Sequence, residues 1–209
     1  MRAQALAALV IAAATYGVLL RIAEGKVETS VGGAGFRLDD RRPDELAAFR
    51  RLQAGLAEIG EKALPERLER LRQDNAIWVA PSLGPGHWAV FAESLRLVRR
   101  IYVRRVALLD PRAHLYPSPP AGIPDANQRA FALLSLGGAL RHELAHYDGM
   151  IDEEDAYAAE IAWYDGLRAS PWFASLVVDR RRVFDWALES AVLTARRAHE
   201  KAGRAPRST

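Results

Sequence analysis

The chain has 209 residues, half of them hydrophobic, with no cysteine and a net charge of +3. That length can bury a substantial core in one domain with a small appendage, and the missing cysteines exclude disulfides, thiolate metal sites and cysteine nucleophiles, so any metal must use His, Asp or Glu. The arginines fall in short runs such as Arg99-Arg100, Arg104-Arg105 and Arg180-Arg181-Arg182, without a basic stripe interleaved with aromatics, and nucleic acid is not expected as a partner.

Residues 3–23 are almost wholly apolar after a Met1-Arg2 start. About 20 apolar residues suffice to cross a bilayer core as a helix, so residues 1–24 are expected to form a membrane-spanning signal anchor. A cleaved signal peptide and a buried N-terminal helix are the alternatives. Anchor and signal peptide both predict an extracytoplasmic domain, periplasmic or extracellular, while Arg21 and Lys26 leave a cytoplasmic-facing domain open.

Val27, Thr29 and Val31 alternate ahead of Gly32-Gly33, and Phe36 and Leu38 follow, which predicts a short hairpin or two loose strands over 25–42. Pro43 suits the first turn of a helix running to about Ile59, with Leu46, Phe49, Leu52 and Leu56 on one face. A second amphipathic helix carries Leu64, Leu68 and Leu71 and ends near Arg72. Ala76–Ala80 reads as a strand stopped by Pro81. A helical stretch is expected over Trp88–Val98, then strands at Ile101–Val103 and Val106–Leu108, then a proline-rich loop over 111–124. Asp125 and Gln128 suggest a capping box for a helix from Ala126 to about Asp148. Gly137 and Gly138 inside it predict close approach by another backbone element. Gly149 suits the helix end and Asp152 the next N-cap, with a partner helix from Glu153 to about Leu167. A final long helix covers about Asp179 to Lys201, and residues 202–209 are expected to be a disordered tail. These elements predict an α+β, mostly helical domain over 25–201 with a small sheet, after an N-terminal membrane-spanning helix.

The string His142-Glu143-Leu144-Ala145-His146 lies late on the predicted helix over 126–148. There it sets two imidazoles one turn apart on one face, with a carboxylate between them, as a catalytic Zn2+ requires. Catalytic zinc takes three protein ligands and keeps one position open, so a third is needed. Asp148, Asp152, Glu153, Glu154, Asp155 and Glu160 follow within reach. In a helical hairpin turning at 149–151, Glu153 and Glu160 share the face of Ala156 and Tyr157, whereas Glu154 is rotated away by about 100°. His87, His114 and His199 stand alone and read as surface or structural residues.

Together with Glu153-x-x-Ala156, the motif resembles the gluzincins, zinc metallopeptidases whose third ligand is a glutamate on a later helix. The resemblance covers residues 125–160 and implies a zincin-like domain in which His142, His146 and Glu153 bind zinc and Glu143 is the general base. Two features depart from the pattern: the connection from His146 to Glu153 is very short, and Tyr157 stands where some gluzincins place an aspartate that orients a histidine. Glu160 is the alternative third ligand or the group that orients a histidine instead. Tyr147, Tyr157 and Tyr164 are candidate donors to the oxyanion. By analogy with zincin architecture, the strand at Ile101–Val103 is the edge on which an extended peptide pairs. The expected function is a membrane-anchored or exported zinc metallopeptidase acting on a peptide or protein. The alternative is a noncatalytic membrane-tethered interaction or assembly module with a structural metal or none; Glu143 favours the enzyme, because a structural site needs ligands but no base.

Overall fold

The computed structural model describes residues 2–30, 35–83, 86–115 and 122–204. The order along the chain is α1 (Arg2–Ser30), β1 (Phe36–Arg37), α2 (Pro43–Glu58), α3 (Ala63–Gln73), β2 (Ile77–Ala80), β3 (Ala89–Ser94), β4 (Val98–Arg104), α4 (Arg105–Leu109), α5 (Pro111–Leu115), α6 (Asp125–Tyr147), α7 (Glu153–Arg168), α8 (Pro171–Ser175) and α9 (Val178–Gly203). The chain is thus mostly helical around one small sheet.

The sheet order is β1-β2-β4-β3. β4 pairs in parallel with β2, through Ile77↔Ile101 and Val79↔Val103, and antiparallel with β3, through Phe91↔Ile101 and Ala89↔Val103. Side chains alternate across a strand, so Ile77, Val79, Ile101 and Val103 enter the main core with α2, α3, α6, α7 and α9. Ala80, Tyr102 and Ala92 turn to the opposite face, where Ala23 and Val27 of α1 cover them. Both faces of β4 are therefore buried, and its apolar run is continuous instead of alternating. Leu134, Leu136 and Leu140 of α6 are completely enclosed in the main core, each contributing roughly 1.5–3 kcal/mol by leaving water.

The expected membrane-spanning helix is corrected: among the described residues no helix is long and apolar enough to cross a membrane. The expectations of anchoring and of an extracytoplasmic domain, which rested on that helix, are withdrawn with it. Arg21, Glu24, Lys26 and Glu28 interrupt the second half of α1, and this half belongs to the protein. Ala23 and Val27 are buried against the sheet, and Glu24 pairs with Arg100 at 3.0 Å. One helix runs through the expected boundary at residue 24 to Ser30, so Val27 and Thr29 are helical, and among the described residues of this region only Phe36–Arg37 forms a strand.

Further expectations change as well. The helix expected over Trp88–Val98 is strand β3 and the turn into β4, because Ala89 and Phe91 face one core while Val90 and Ala92 face the other. Val106–Leu108 lies in α4, and the expected loop begins with α5; residues 116–121 fall outside the described ones. Asp125 makes no capping bond. It pairs with Arg112 and Arg129, while the Gln128 amide donates to the Ile123 carbonyl at 2.7 Å. Residues 202–203 of the expected tail are helical, and 205–209 lie outside the described residues.

Candidate metal centre and cleft

α6 ends at Tyr147, and Gly149 follows with φ +107°, a left-handed conformation that glycine adopts without Cβ strain. The turn is closed by Met150 N–H donating to the Ala145 carbonyl at 2.9 Å and Gly149 N–H to that of His146 at 3.0 Å. It reverses the chain within a few residues, so that α7 runs back along α6. Gly137 and Gly138 allow the two helices to close: a Cβ at 137 would lie 2.8 Å from the Trp163 ring, and one at 138 would overlap the Tyr164 hydroxyl. The close approach expected from this glycine pair is made by aromatic side chains and not by backbone.

The hairpin brings three expected ligands together. His142, His146 and Glu153 form a group that could hold a metal ion, with one ligating atom from each lying within 4.8 Å of the others. His142 Nε2 is 3.1 Å from Glu153 Oε2 and 3.2 Å from His146 Nε2, and His146 Nε2 is 3.5 Å from Glu153 Oε1.

The hydrogen bonds around this group test its fit to a cation. His146 Nδ1 lies 2.8 Å from the Met150 carbonyl, which only accepts, so Nδ1 carries the proton and the Nε2 of a neutral ring is left with a lone pair. That lone pair and the Glu153 carboxylate meet His142 Nε2. A neutral His142 could donate to them from Nε2, but its buried Nδ1 would then hold a lone pair with no hydrogen-bond partner, facing Glu160 Oε2 at 3.8 Å. A cation bound by Nε2 reverses the tautomer and lets Nδ1–H point toward that carboxylate, the usual support of a metal-bound histidine. The donor set supports the same assignment, since Glu153 lies beside both imidazoles and Glu160 lies behind His142.

Glu160 is buried, and its Oε1 lies 3.0 Å from the Tyr164 hydroxyl, which is also 3.2 Å from the Leu134 carbonyl. Burial pushes the Glu160 carboxyl up to about 7, while the Tyr164 hydrogen bond pulls it down. His142 is shifted down, first by burial, with the Glu153 carboxylate opposing. Glu160 thus stands behind His142 while Glu153 stands beside both histidines, which separates the two candidates for third ligand.

Glu143 points to the other wall. Its Oε2 accepts the Phe91 backbone N–H at 2.6 Å, and burial pushes its carboxyl up to about 8, the Phe91 bond opposing and Glu153 and Glu160 adding to the rise. Phe91 belongs to β3, not to the strand expected at the edge. β4, carrying Ile101–Val103, lies between β2 and β3 and is central, so its backbone groups are committed on both sides. The true edge beside the site is β3. Arg104 N–H donates to the Trp88 carbonyl, so Trp88, Val90, Ala92 and Ser94 bond β4, and the backbone groups of Ala89, Phe91 and Glu93 point outward.

A cleft of about 920 Å³ lies along this outward edge, from Gly86–Trp88 past Phe91 to Arg96, with the metal group on the opposite wall. Tyr157 faces it, its ring 4.3 Å from that of His142. Tyr164 is committed to Glu160 and the Leu134 carbonyl. Tyr147 packs edge-on to Phe91 and under the Arg99 guanidinium, which also donates to the Tyr147 carbonyl. The other acidic candidates fall elsewhere: Asp148 pairs with Arg67, Asp152 precedes α7 without a side-chain cap, and Glu154 lies toward Gly203 of α9. Of the isolated histidines, His87 lines the cleft and His114 packs edge-on to Trp88.

Sequence reasoning missed β3 and Arg99. The tight turn between β3 and β4 has no glycine, asparagine or aspartate, so the hairpin leaves no turn signal of the ordinary kind. No protein-family model, curated protein or solved structure matches the chain.

Proposed function

We propose that this protein is a zinc-dependent peptidase of the gluzincin kind, hydrolysing an extended peptide held against β3. The observation that carries the reading is the convergence of His142, His146 and Glu153, with the carboxylate of Glu143 between that group and a strand edge. Such a donor set of two imidazoles and one carboxylate suits zinc with a position left open. When bound, zinc supplies Lewis acidity, lowering the pKa of a water to about 7 and polarising the scissile carbonyl.

The chain's own residues do the rest. Glu143 is the general base by position: its carboxylate lies between the metal group and β3, to take a proton from the attacking water and pass it to the leaving amine. His146 is held in one tautomer by the Met150 carbonyl, and His142 is backed by Glu160. Tyr157 is assigned as donor to the oxyanion, because it lines the cleft beside His142, whereas Tyr147 does not line it and Tyr164 is committed to other partners. The outward groups of Ala89 and Glu93 and the Phe91 carbonyl offer backbone pairing to an extended substrate, the Phe91 N–H being taken by Glu143.

The test uses the full chain. Zinc content and cleavage of a mixed peptide library are measured for the parent and for Glu143→Gln. Expected are one zinc per chain in both proteins and a loss of roughly 10²–10⁴ in turnover for the variant. A parent that holds no stoichiometric zinc, or equal cleavage by both, refutes the reading.

A further inference from the structure

From the charge and backbone of the β3–β4 turn, we infer that Arg96 is a specificity-determining residue that binds a carboxylate of the peptide substrate, three to five residues from the scissile bond. The inference rests on the peptidase reading and names a substrate class for it: peptides with an acidic residue at that distance.

The first observation is the backbone. Leu95 and Arg96 have φ of +53° and +55°, and Leu97 N–H closes the turn onto the Ser94 carbonyl at 3.0 Å. Two consecutive left-handed residues make the turn type that normally takes Asn-Gly. Side chains with a Cβ are strained there, and strain of this sort persists where function retains it.

The second observation is where the turn delivers its cation. Arg96 lines the same cleft as His142, His146, Glu143 and Glu153. The nearby Arg99 is already engaged, by Glu93 at 3.1 Å and by the Tyr147 carbonyl. Arg96 has no ion pair or hydrogen bond among the described residues. The cleft therefore offers an uncommitted guanidinium at the end of the strand that borders it, and a carboxylate is the group that a guanidinium fork matches.

Distance sets the position. Phe91, beside the general base, lies three residues before Ser94, about 10 Å at roughly 3.4 Å per strand residue. The arginine side chain adds its own reach, and an extended substrate advances at the same rise, which yields the window of three to five residues. Because the Phe91 end holds the reacting bond, Arg96 does not touch the reacting atoms and acts on binding.

The experiment scans Glu against Gln along a cleaved peptide, on both sides of the scissile bond, with the parent, Arg96→Gln and Arg96→Glu. Expected in the parent is one position in the window where Glu raises kcat/KM about tenfold, mostly through KM. Arg96→Gln abolishes that preference and Arg96→Glu inverts it, with zinc content unchanged. A preference that survives Arg96→Gln, or cleavage with no Glu preference at any position, overturns the assignment while leaving the peptidase reading intact. A parent that binds no zinc and cleaves no peptide overturns both.

Discussion

Replacing Gly138 by alanine puts a methyl group into the seam between α6 and α7. A Cβ there would overlap the Tyr164 hydroxyl and lie 2.7 Å from Glu160 Oε1, and Tyr164 and Glu160 are both buried. Helix propensity alone favours alanine by about 1 kcal/mol, whereas forcing a methyl into a packed contact costs typically about 1–3 kcal/mol. The expected net change is a loss of up to about 2 kcal/mol. Gly166 gives the matched control: it is exposed in α7 with nothing within 4 Å of a built Cβ, so Gly166→Ala gains up to about 1 kcal/mol. The two substitutions are chemically identical and differ in what the methyl meets. Displacing Tyr164 and Glu160 also removes the carboxylate behind His142, which weakens zinc by roughly 10–100-fold. Urea unfolding of the metal-free full chain reads the first effect, and zinc titration against a competing chelator reads the second. If Gly138→Ala matches Gly166→Ala in stability and the parent in zinc affinity, the account of the α6–α7 seam is wrong.

Glu153→Gln abolishes stoichiometric zinc binding at chelator concentrations where Glu160→Gln, weakened only roughly 10–100-fold, keeps part of it; the reverse order in the same titration exchanges their roles. Relaxing the β3–β4 turn with Leu95→Asn and Arg96→Gly together raises the unfolding free energy by about 1–3 kcal/mol, from the strain of two left-handed side chains; a urea midpoint unchanged or lowered contradicts it. Glu45 is buried and bonded to Arg105 at 2.7 Å, and this hydrogen bond holds its carboxyl below the ordinary 4.5 against the opposing effect of burial. A lowered folded pKa contributes stability that is complete above about 4.5 and fades as pH falls through the lower folded value. Arg105→Ala leaves burial without its counterweight, so the folded pKa rises and acid unfolding begins at a higher pH, measured by circular dichroism across an acid titration.

Where one chemical signal dominated, the sequence was legible. Leu46, Phe49, Leu52 and Leu56 mark α2, and Leu64, Leu68 and Leu71 mark α3, because each helix has a single buried face. The metal group was legible for the same reason: helical spacing places His142 and His146 together, and Gly149 marks a turn tight enough to return Glu153 to them. The apolar segment at 3–23 misled because composition outweighed the charges at its end and just after it. Arg21, Glu24, Lys26 and Glu28 belong to the same helix, and the pairing of Glu24 with Arg100 depends on a residue 76 positions away.

The strand wall of the cleft was hidden for a deeper reason. Alternation identifies a strand only when one of its faces is wet, and β3 and β4 are covered on both sides, by α1 and by the main core. The run Ala89-Val90-Phe91-Ala92 therefore carries no period, and its turn uses Leu95 and Arg96 where a hairpin ordinarily announces itself with Asn-Gly. Both missing signals have one structural source. A strand that borders the metal group must be fixed by packing on its two faces, because one of its edges is left open to the cleft. One of the two turn residues that break the local rule, Arg96, brings a cation to the end of that edge. Local consistency in this chain is thus weakest where the open edge and the uncommitted Arg96 lie, which is where substrate recognition should be sought.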